Sequence, residues 1–258
     1  MTEHAVTVVR RRTPPRTTRP SLRLERALMR EGHSVLVGMD EVGRGALAGP
    51  VSVGVVAIDE TCRSAPQGVK DSKLLTAQAR ERLVPRIQQW ARAWGVGHAW
   101  PEEIDAIGIM AALRLAGERA LAQLEVTPDL IVLDGNHDWL TDPSREGLLA
   151  LADPTGPPQV PVRTMIKADL KCSSVAAASV LAKVTRDDHM VQLAPEHPAY
   201  SWELNKGYAA PEHQAALRTL GPCAHHRRSW NITGRNITGM NITGNTLRDD
   251  ASRPRRGR

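Results

Sequence analysis

Short apolar runs, bounded by glycine, proline and polar residues, predict the strands of a sheet. Residues 35–40 (VLVGMD), 51–58 (VSVGVVAI) and 130–134 (LIVLD) are compact enough to be buried strands. The run at 51–58 is also rich in β-branched residues, which favour strands. Residues 94–100 (WGVGHAW) and 160–166 (VPVRTMI) predict two more, so the sequence indicates a sheet of several strands.

Apolar residues recur at helical spacing in the segments between these strands. The predicted helices cover residues 22–29, 76–93, 104–124, 173–190 and 211–220, the third of them as two successive helices. Thr76 can cap the second helix, and Gly221-Pro222 can end the last. Strands followed by helices predict an α/β fold, in which helices cover a sheet.

Composition sets the general class of protein. A chain of 258 residues is long enough for one sizeable domain whose core needs no disulfide bonds. The three cysteines form no CxxC pair, which argues against a zinc site and against a disulfide framework. We find no apolar run typical of a membrane span or a signal peptide, so we expect a cytoplasmic protein that does not associate with membranes.

Basic residues are concentrated at the two ends of the chain. Residues 1–23 hold six Arg and one Glu, and residues 231–258 hold six Arg and two Asp, so the formal charge of +6 belongs to these ends. We expect 1–23 to be a basic disordered tail, 24–230 the folded domain and 231–258 a low-complexity basic tail with three NITG repeats. Such tails either grip phosphate without sequence preference or simply solubilise the chain.

Carboxylates stand at the ends of three predicted strands. Asp40 and Glu41 close the first, Asp134 closes another, and Asp169 follows the strand at 160–166. Strand ends of an α/β sheet meet at one edge, and carboxylates that converge there repel one another unless cations neutralise them. Such oxygen ligands favour Mg²⁺ or Mn²⁺, and a pair of these ions can promote phosphodiester hydrolysis. Taken singly, each acid is more often a cap, a turn residue or a surface charge.

Asp40 and Glu41 are neighbours, which raises a geometric question. Adjacent residues of a regular strand point to opposite faces, so the two acids share a site only if the chain bends there. The glycines of Gly43-Arg44-Gly45 favour such a bend. The same turn either lets backbone amides approach a phosphate or a sugar hydroxyl, or is a tight connection between strands.

Three further segments carry groups suited to nucleic acid. Lys73 precedes a predicted helix and either meets a phosphate or only occupies the first turn. Tyr208, in the segment NKGY, is one of two tyrosines and either stacks on a sugar or base, or is a partly buried structural residue. Residues 225–228 (HHRR) indicate a solvated basic patch.

Together these segments resemble the bacterial ribonuclease HII family. The family's order is kept by GMDEVGRGALAGPV, VKDSKLLTAQARERL, IVLDGN, KADLKCSSVAAASVLAKVTRD, NKGY and GPCAHHRRSW, over roughly residues 36–230. Six ordered motifs are a far more specific signal than any one of them alone. The resemblance implies a ribonuclease H-like fold, with a central mixed sheet flanked by helices and a helical C-terminal extension.

The resemblance also implies an activity and its residues. Family members hydrolyse the RNA strand of RNA–DNA hybrids and cut 5′ of single ribonucleotides in duplex DNA, leaving 3′-hydroxyl and 5′-phosphate ends. They use two divalent ions, Mg²⁺ or Mn²⁺, and the expected catalytic metal ligands here are Asp40, Glu41, Asp134 and Asp169. The expected substrate contacts are Gly43, Arg44, Gly45, Lys73, Lys183 and Tyr208. In this resemblance the glycine turn contacts the ribose 2′-hydroxyl, and we expect the chain to bind its duplex as a monomer.

Two positions depart from the family's pattern. Its usual KGD is Lys167-Ala168-Asp169 here, so we expect a constrained backbone before Asp169, and Gly108 stands where asparagine is commoner. Two alternatives remain at this point: another nuclease of the same fold, such as a resolvase or a proofreading exonuclease, and a non-catalytic nucleic-acid-binding module. The 2′-hydroxyl contacts argue against the first. The acid cluster, which weakens phosphate binding unless cations neutralise it, argues against the second.

Overall fold

Five strands form one mixed sheet in the computed structural model, which describes residues 19–142 and 159–230. The strands, in the spatial order β3-β2-β1-β4-β5, are β1 (Leu36–Val42), β2 (Val51–Ile58), β3 (Ala93–Ala99), β4 (Leu130–Asp134) and β5 (Val162–Met165). β1 is antiparallel to β2 and parallel to β4, and β4 is parallel to β5. The predicted strands are confirmed, since each observed end lies within two residues of its predicted position.

Helices cover both faces of this sheet. They are α1 (Arg23–Arg30), α2 (Ala77–Trp90), α3 (Pro101–Leu121), α4 (Ser173–Leu193), α5 (Trp202–Asn205) and α6 (Pro211–Leu220). The core under one face is built with α1, α2 and α4, and the core under the other with α3. Thr76 caps α2 by accepting a hydrogen bond from the amide of Ala79 at 3.2 Å. The helix pair expected in 104–124 is confirmed, because Gly108 breaks α3 with φ 79° and ψ 161°.

Helix α4 approaches the sheet closely because both surfaces consist of small residues. A Cβ on Gly38 of β1 would lie 2.4 Å from the carbonyl carbon of Ser174, and one on Gly54 of β2 would lie 2.3 Å from the carbonyl oxygen of Ala178. Residues four apart share a helix face, so the same face of α4 continues to Arg186. This face passes beyond the sheet and reaches the loop at 43–50.

The C-terminal helices pack against that loop and not against the sheet. A third apolar cluster joins Leu47 and Ala48 of the loop to Met190, Tyr200 and Trp202. Since the loop follows β1 directly, the C-terminal extension surrounds the end of the strand that carries two of the predicted site residues. The expected fold, a central mixed sheet flanked by helices with a helical C-terminal extension, is confirmed.

The predicted tails fall largely outside the described residues. Residues 1–18 and 231–258 lie there, as do residues 143–158 of the predicted long connection. At the start of the described range, Ser21 donates its amide hydrogen to Lys171, and Leu22 is buried. The division into two tails and a domain stays a prediction. Within the described ranges, no helix has the length and apolarity needed to cross a membrane.

Candidate active site

The parallel pairing of β1 and β4 brings Asp40 and Asp134 to the same edge of the sheet. Met39 pairs with Leu133, so the next residue of each strand is one of the two acids. Side chains alternate along both strands, and both acids fall on the face that α4 covers. The register of β1 and β4 therefore places these two strand ends side by side, as expected from the sequence.

Asp169 joins this pair through a 3-10 turn after β5. The amide of Ala168 donates to Oδ1 of Asp134 at 2.6 Å, which fastens the turn to the end of β4. The left-handed backbone lies one residue before the alanine that was expected to constrain it, at Lys167, where φ is 58°. Ala168 itself is buried and is not among the described residues with positive φ, so alanine fits this position.

Glu41 lies on a straight part of strand β1. The pairing of β1 with β2 is unbroken through Val42, so the predicted bend comes after both acids, at Gly43, where φ is 81°. Alternation directs the side chain of Glu41 away from the face of Asp40 where it leaves the backbone. At the end of the strand its carboxylate still lies close to the cluster, because the charge of Asp134 raises its pKa and that of Lys73 lowers it. Its Oε1 lies 4.0 Å from the guanidinium of Arg44. The bend expected between Asp40 and Glu41 is wrong, because strand pairing holds this segment extended.

Burial and mutual repulsion raise the pKa of three of these carboxyl groups. Burial, followed by the charge of Glu41, raises the pKa of Asp40 well above its ordinary value. Burial and the charge of Asp134 raise the pKa of Asp169 to about 6. Burial also raises the pKa of Glu41, although Arg44 opposes it. The acid cluster therefore lacks compensating positive charge.

Lys73 supplies part of that charge. Its amide donates to the side chain of Asp71 at 2.9 Å, which begins a single 3-10 turn before α2. The turn is fixed to α4, because the hydroxyl groups of Ser72 and Ser179 are 2.9 Å apart. Burial alone would lower the pKa of Lys73, but the surrounding carboxylates, Asp40 foremost, raise it. Lys73 is therefore a charged neighbour of the acid cluster.

The donor set suits a hard divalent cation. Asp40, Glu41, Asp134 and Asp169 offer only oxygen, the donor that Mg²⁺ and Mn²⁺ prefer, and the raised pKa values show a need for positive charge. In residues 19–142 and 159–230, no three His, Cys, Asp or Glu side chains are arranged to hold one metal ion. The chemistry and charge of these side chains therefore fit a divalent ion.

Two buried arginines hold the loop at 43–50. Arg186 of α4 donates to the carbonyl oxygens of Pro50, Ala48 and Lys206 at 2.9, 3.1 and 3.0 Å. Arg227 donates to the carbonyl oxygens of Gly43 at 2.6 Å and Arg44 at 2.9 Å.

A side chain at position 43 would meet this arrangement directly. A Cβ on Gly43 would lie 2.1 Å from Nε of Arg186. The glycine turn is therefore packed against the arginines, which fix its backbone.

Tyr208 lies beside this loop. The amides of Leu47 and Ala48 donate to Gly207 at 2.8 and 3.2 Å, which joins the loop to the NKGY segment. The centroid of the Tyr208 ring is 5.1 Å from Cζ of Arg186 and 5.5 Å from Nζ of Lys183. Lys183, Lys206 and Tyr208 line a groove of about 500 Å³ between α2 and α4. The structure thus brings the glycine turn, Lys183 and Tyr208 into one region.

Comparisons with known proteins identify the family of the chain. The sequence model of the family described as Ribonuclease HII matches residues 37–233. The chain belongs to the ribonuclease HII family. It is 46% identical over 212 residues to a ribonuclease HII of Streptomyces avermitilis, which covers 82% of this chain and 83% of that one. A ribonuclease HII of Nitrosococcus oceani is 45% identical over 196 residues, which covers 76% and 88%.

The structural comparison supports the same family. The crystal structure of ribonuclease H2 from Pyrococcus horikoshii OT3 matches with a TM-score of 0.59 and 29% identity, over 77% of this chain and 95% of that one. The ribonuclease H-like fold is thereby confirmed. As a member of the ribonuclease HII family, the chain is a ribonuclease H, a hydrolase that acts as an endonuclease on RNA–DNA.

Two structural residues of this family member escaped the sequence analysis. The prediction of a solvated patch at 225–228 is wrong for His226 and Arg227, which are 1% and 0% exposed. Their burial depends on packing against the glycine loop, which no local pattern reveals. Arg186 did leave a signal, because it stands eight residues after Ala178 on the small face of α4. A charged residue on so small a face indicates a specific partner.

Proposed function

We propose that this member of the ribonuclease HII family cuts duplex DNA at single embedded ribonucleotides, on their 5′ side, as well as RNA strands of hybrids. The observation that carries the proposal is the junction of an acid cluster with a fixed glycine turn at the end of one strand, β1. The turn begins at Gly43, two residues after Glu41. A substrate whose 2′-hydroxyl met the turn would present its phosphate to the acids. The products would carry 3′-hydroxyl and 5′-phosphate ends.

Asp40, Glu41, Asp134 and Asp169 are proposed to hold two divalent ions, Mg²⁺ or Mn²⁺. The chemistry that such a pair supplies when bound is activation of water and stabilisation of the departing 3′-oxygen. The chain's own contribution is to fix the carboxylates, since the amide of Ala168 orients Asp134 at 2.6 Å. Burial and the neighbouring charge of Glu41, which raise the pKa of Asp40, support this assignment.

Recognition of ribose is proposed to come from the glycine turn and Tyr208. Arg227 binds the carbonyl oxygens of Gly43 and Arg44, so the contact with a 2′-hydroxyl falls to the amides of residues 43–45. The ring of Tyr208 would pack on the neighbouring deoxyribose.

Phosphate contacts are proposed for two lysines. Lys73 stands at the acid cluster and Lys183 stands in the groove beside Tyr208. We further propose that the chain acts as a monomer on ribonucleotide-containing duplexes in the cytoplasm.

Replacement of one acid tests this assignment. Asp134→Asn should reduce cleavage of a duplex with one ribonucleotide by at least about a hundredfold, because it removes a charge that the reaction needs. Its affinity for the same duplex, measured by fluorescence anisotropy in EDTA, should stay within about threefold of wild type. Glu118→Gln, an exposed acid on α3, is the matched control and should cleave normally. Near-wild-type cleavage by Asp134→Asn would refute the assignment.

A further inference from the structure

A buried pair of imidazoles connects the C-terminal segment to Tyr208. His213 lies on α6 and His226 lies in the segment after it, and they are 0% and 1% exposed. Their Nε2 atoms are 3.0 Å apart, so one ring donates a hydrogen bond and the other accepts it. The direction of that bond depends on which nitrogen of each ring carries the proton.

Neighbouring groups that can only donate assign both protons. The amide of Cys223 lies 3.1 Å from Nδ1 of His226, so this nitrogen accepts and the proton of His226 is on Nε2. The indole N–H of Trp202 lies 3.3 Å from Nε2 of His213, so this nitrogen also accepts. The proton of His213 is therefore on Nδ1, which is 2.8 Å from the carbonyl oxygen of Tyr208.

The two independent assignments give one directed chain of hydrogen bonds. Cys223 donates to His226, His226 donates to His213, and His213 donates to the carbonyl oxygen of Tyr208. Each link requires both rings to be neutral. Burial lowers the pKa of His213 and lowers that of His226 to about 3, which keeps them neutral near pH 7.

This chain reaches the backbone of Tyr208, whereas α4 contacts its ring. On the α4 side, Arg186 and Lys183 flank the ring of Tyr208. On the α6 side, His213 holds the backbone of the same residue, together with the amide of Ala210 at 2.8 Å. A change in the position of the backbone would therefore turn the ring relative to α4 and the groove.

We propose that His213 and His226 are positioning residues that set the ring of Tyr208 for recognition of the ribonucleotide and its neighbouring sugar. The inference rests on the proposed function, in which Tyr208 contacts substrate. Neither imidazole touches substrate; both act through the carbonyl group of Tyr208. Their loss should therefore weaken recognition of substrate more than the chemical step.

Two substitutions of His213 separate positioning from stability. In His213→Gln the side-chain oxygen replaces Nε2 as acceptor, so the bonds from His226 and Trp202 remain and the bond to Tyr208 is lost. In His213→Asn the side-chain amide replaces Nδ1 as donor, so the bond to Tyr208 remains and the other two are lost. Asn should therefore be the less stable variant, and Gln the less active one.

The measurements are thermal unfolding and steady-state cleavage of a duplex with one ribonucleotide. We expect kcat/KM to be about three- to tenfold lower in His213→Gln than in His213→Asn. This ratio corresponds to the loss of about one hydrogen bond, and it should arise chiefly from a higher KM. Thermal unfolding should rank the two variants in the reverse order. If cleavage follows the order of stability, the positioning role is refuted.

Two further experiments complete the test. The first needs no variant, so it remains informative if the His213 variants do not fold, and the second separates failure of the positioning role from failure of the proposed function. Nitrogen NMR of the wild-type imidazoles should find the proton on Nδ1 of His213 and on Nε2 of His226; a proton on Nε2 of His213 would overturn the proposal. Tyr208→Ala should lower kcat/KM on the same duplex. If it does not, both the recognition role of Tyr208 and the positioning role fail. If it does while the His213 variants follow stability, only the positioning role fails.

Discussion

At the scale of single residues, the turn after β1 depends on glycine at position 43. Gly43 has φ of 81°, and an added Cβ would lie 2.8 Å from the carbonyl oxygen of Pro50 as well as 2.1 Å from Nε of Arg186. Both neighbours are fixed, since Arg186 is buried and bonded to that same carbonyl oxygen. The turn therefore has little freedom to adjust.

We expect Gly43→Ala to lower the free energy of unfolding by about 1–3 kcal/mol, through backbone strain and overpacking. Urea unfolding at constant pH is the measurement. Gly45→Ala is the matched control, because no atom lies within 4 Å of the added Cβ and the backbone is not left-handed. It should cost less than about 1 kcal/mol. Equal losses in the two variants would show that the turn is not fixed by Arg186.

At the scale of secondary structure, the approach of α4 to the sheet positions the site. The helix carries Ser179 next to Asp40, Lys183 next to Tyr208, and Arg186 against the glycine loop. These contacts depend on the absence of side chains at Gly38 and Gly54, where β1 and β2 face the helix backbone. A small displacement of α4 would thus change the acid cluster and the substrate loop together.

Gly54→Ala tests this dependence. The new Cβ would lie 2.3 Å from the carbonyl oxygen of Ala178, and helix backbone cannot move aside as a side chain can. We expect a loss of about 3 kcal/mol or more in the free energy of unfolding. Cleavage should also fall in whatever protein remains folded. Normal stability and normal cleavage would contradict the assigned role of α4.

Local sequence was sufficient for the five strands and for the described helices other than the single turn α5. The bounds of β2 and α6 follow from continuous apolar or periodic runs with clear breakers, and the interruption at Gly108 follows from a glycine inside a helical pattern. The meeting of Asp40 and Asp134 was also predictable, because parallel strands end at one edge.

The parts that sequence did not predict depend on long-range packing. The chain between Asp40 and Glu41 stays straight because β2 pairs with it, although glycines follow closely. His226 and Arg227 are buried because a loop from the other end of the chain packs on them. No local pattern carries that information.

At the scale of the whole molecule, the partly buried His98 makes stability depend on pH. Burial lowers the pKa of His98 to about 4, whereas an unfolded histidine titrates near ~6.5. Between these values the unfolded chain binds the additional proton. The stability that neutral His98 contributes is therefore complete above about pH 6.5 and is lost as the pH falls towards 4. Asp169 acts in the opposite direction, because its pKa is raised to about 6.

Replacement of His98 isolates its share of this dependence. Its Nδ1 lies 2.7 Å from the hydroxyl of Ser52, and asparagine can make a similar contact without titrating. In urea unfolding from about pH 6.5 to about pH 4.5, His98→Asn should lose stability less steeply than wild type, by up to about 1.4 kcal/mol per pH unit. The carboxylates are common to both proteins. Identical slopes would show that folding does not lower the pKa of His98.

The central claim is that one molecule combines a hydrolytic acid cluster with a ribose-sensing turn. The most direct measurement is cleavage of an end-labelled DNA duplex that carries one ribonucleotide, with Mg²⁺, Mn²⁺ or EDTA. We predict a single cut immediately 5′ of the ribonucleotide that requires a divalent ion, and no cut in the all-DNA duplex. Cleavage of the all-DNA duplex, or no cleavage with either ion by folded protein, would contradict the claim.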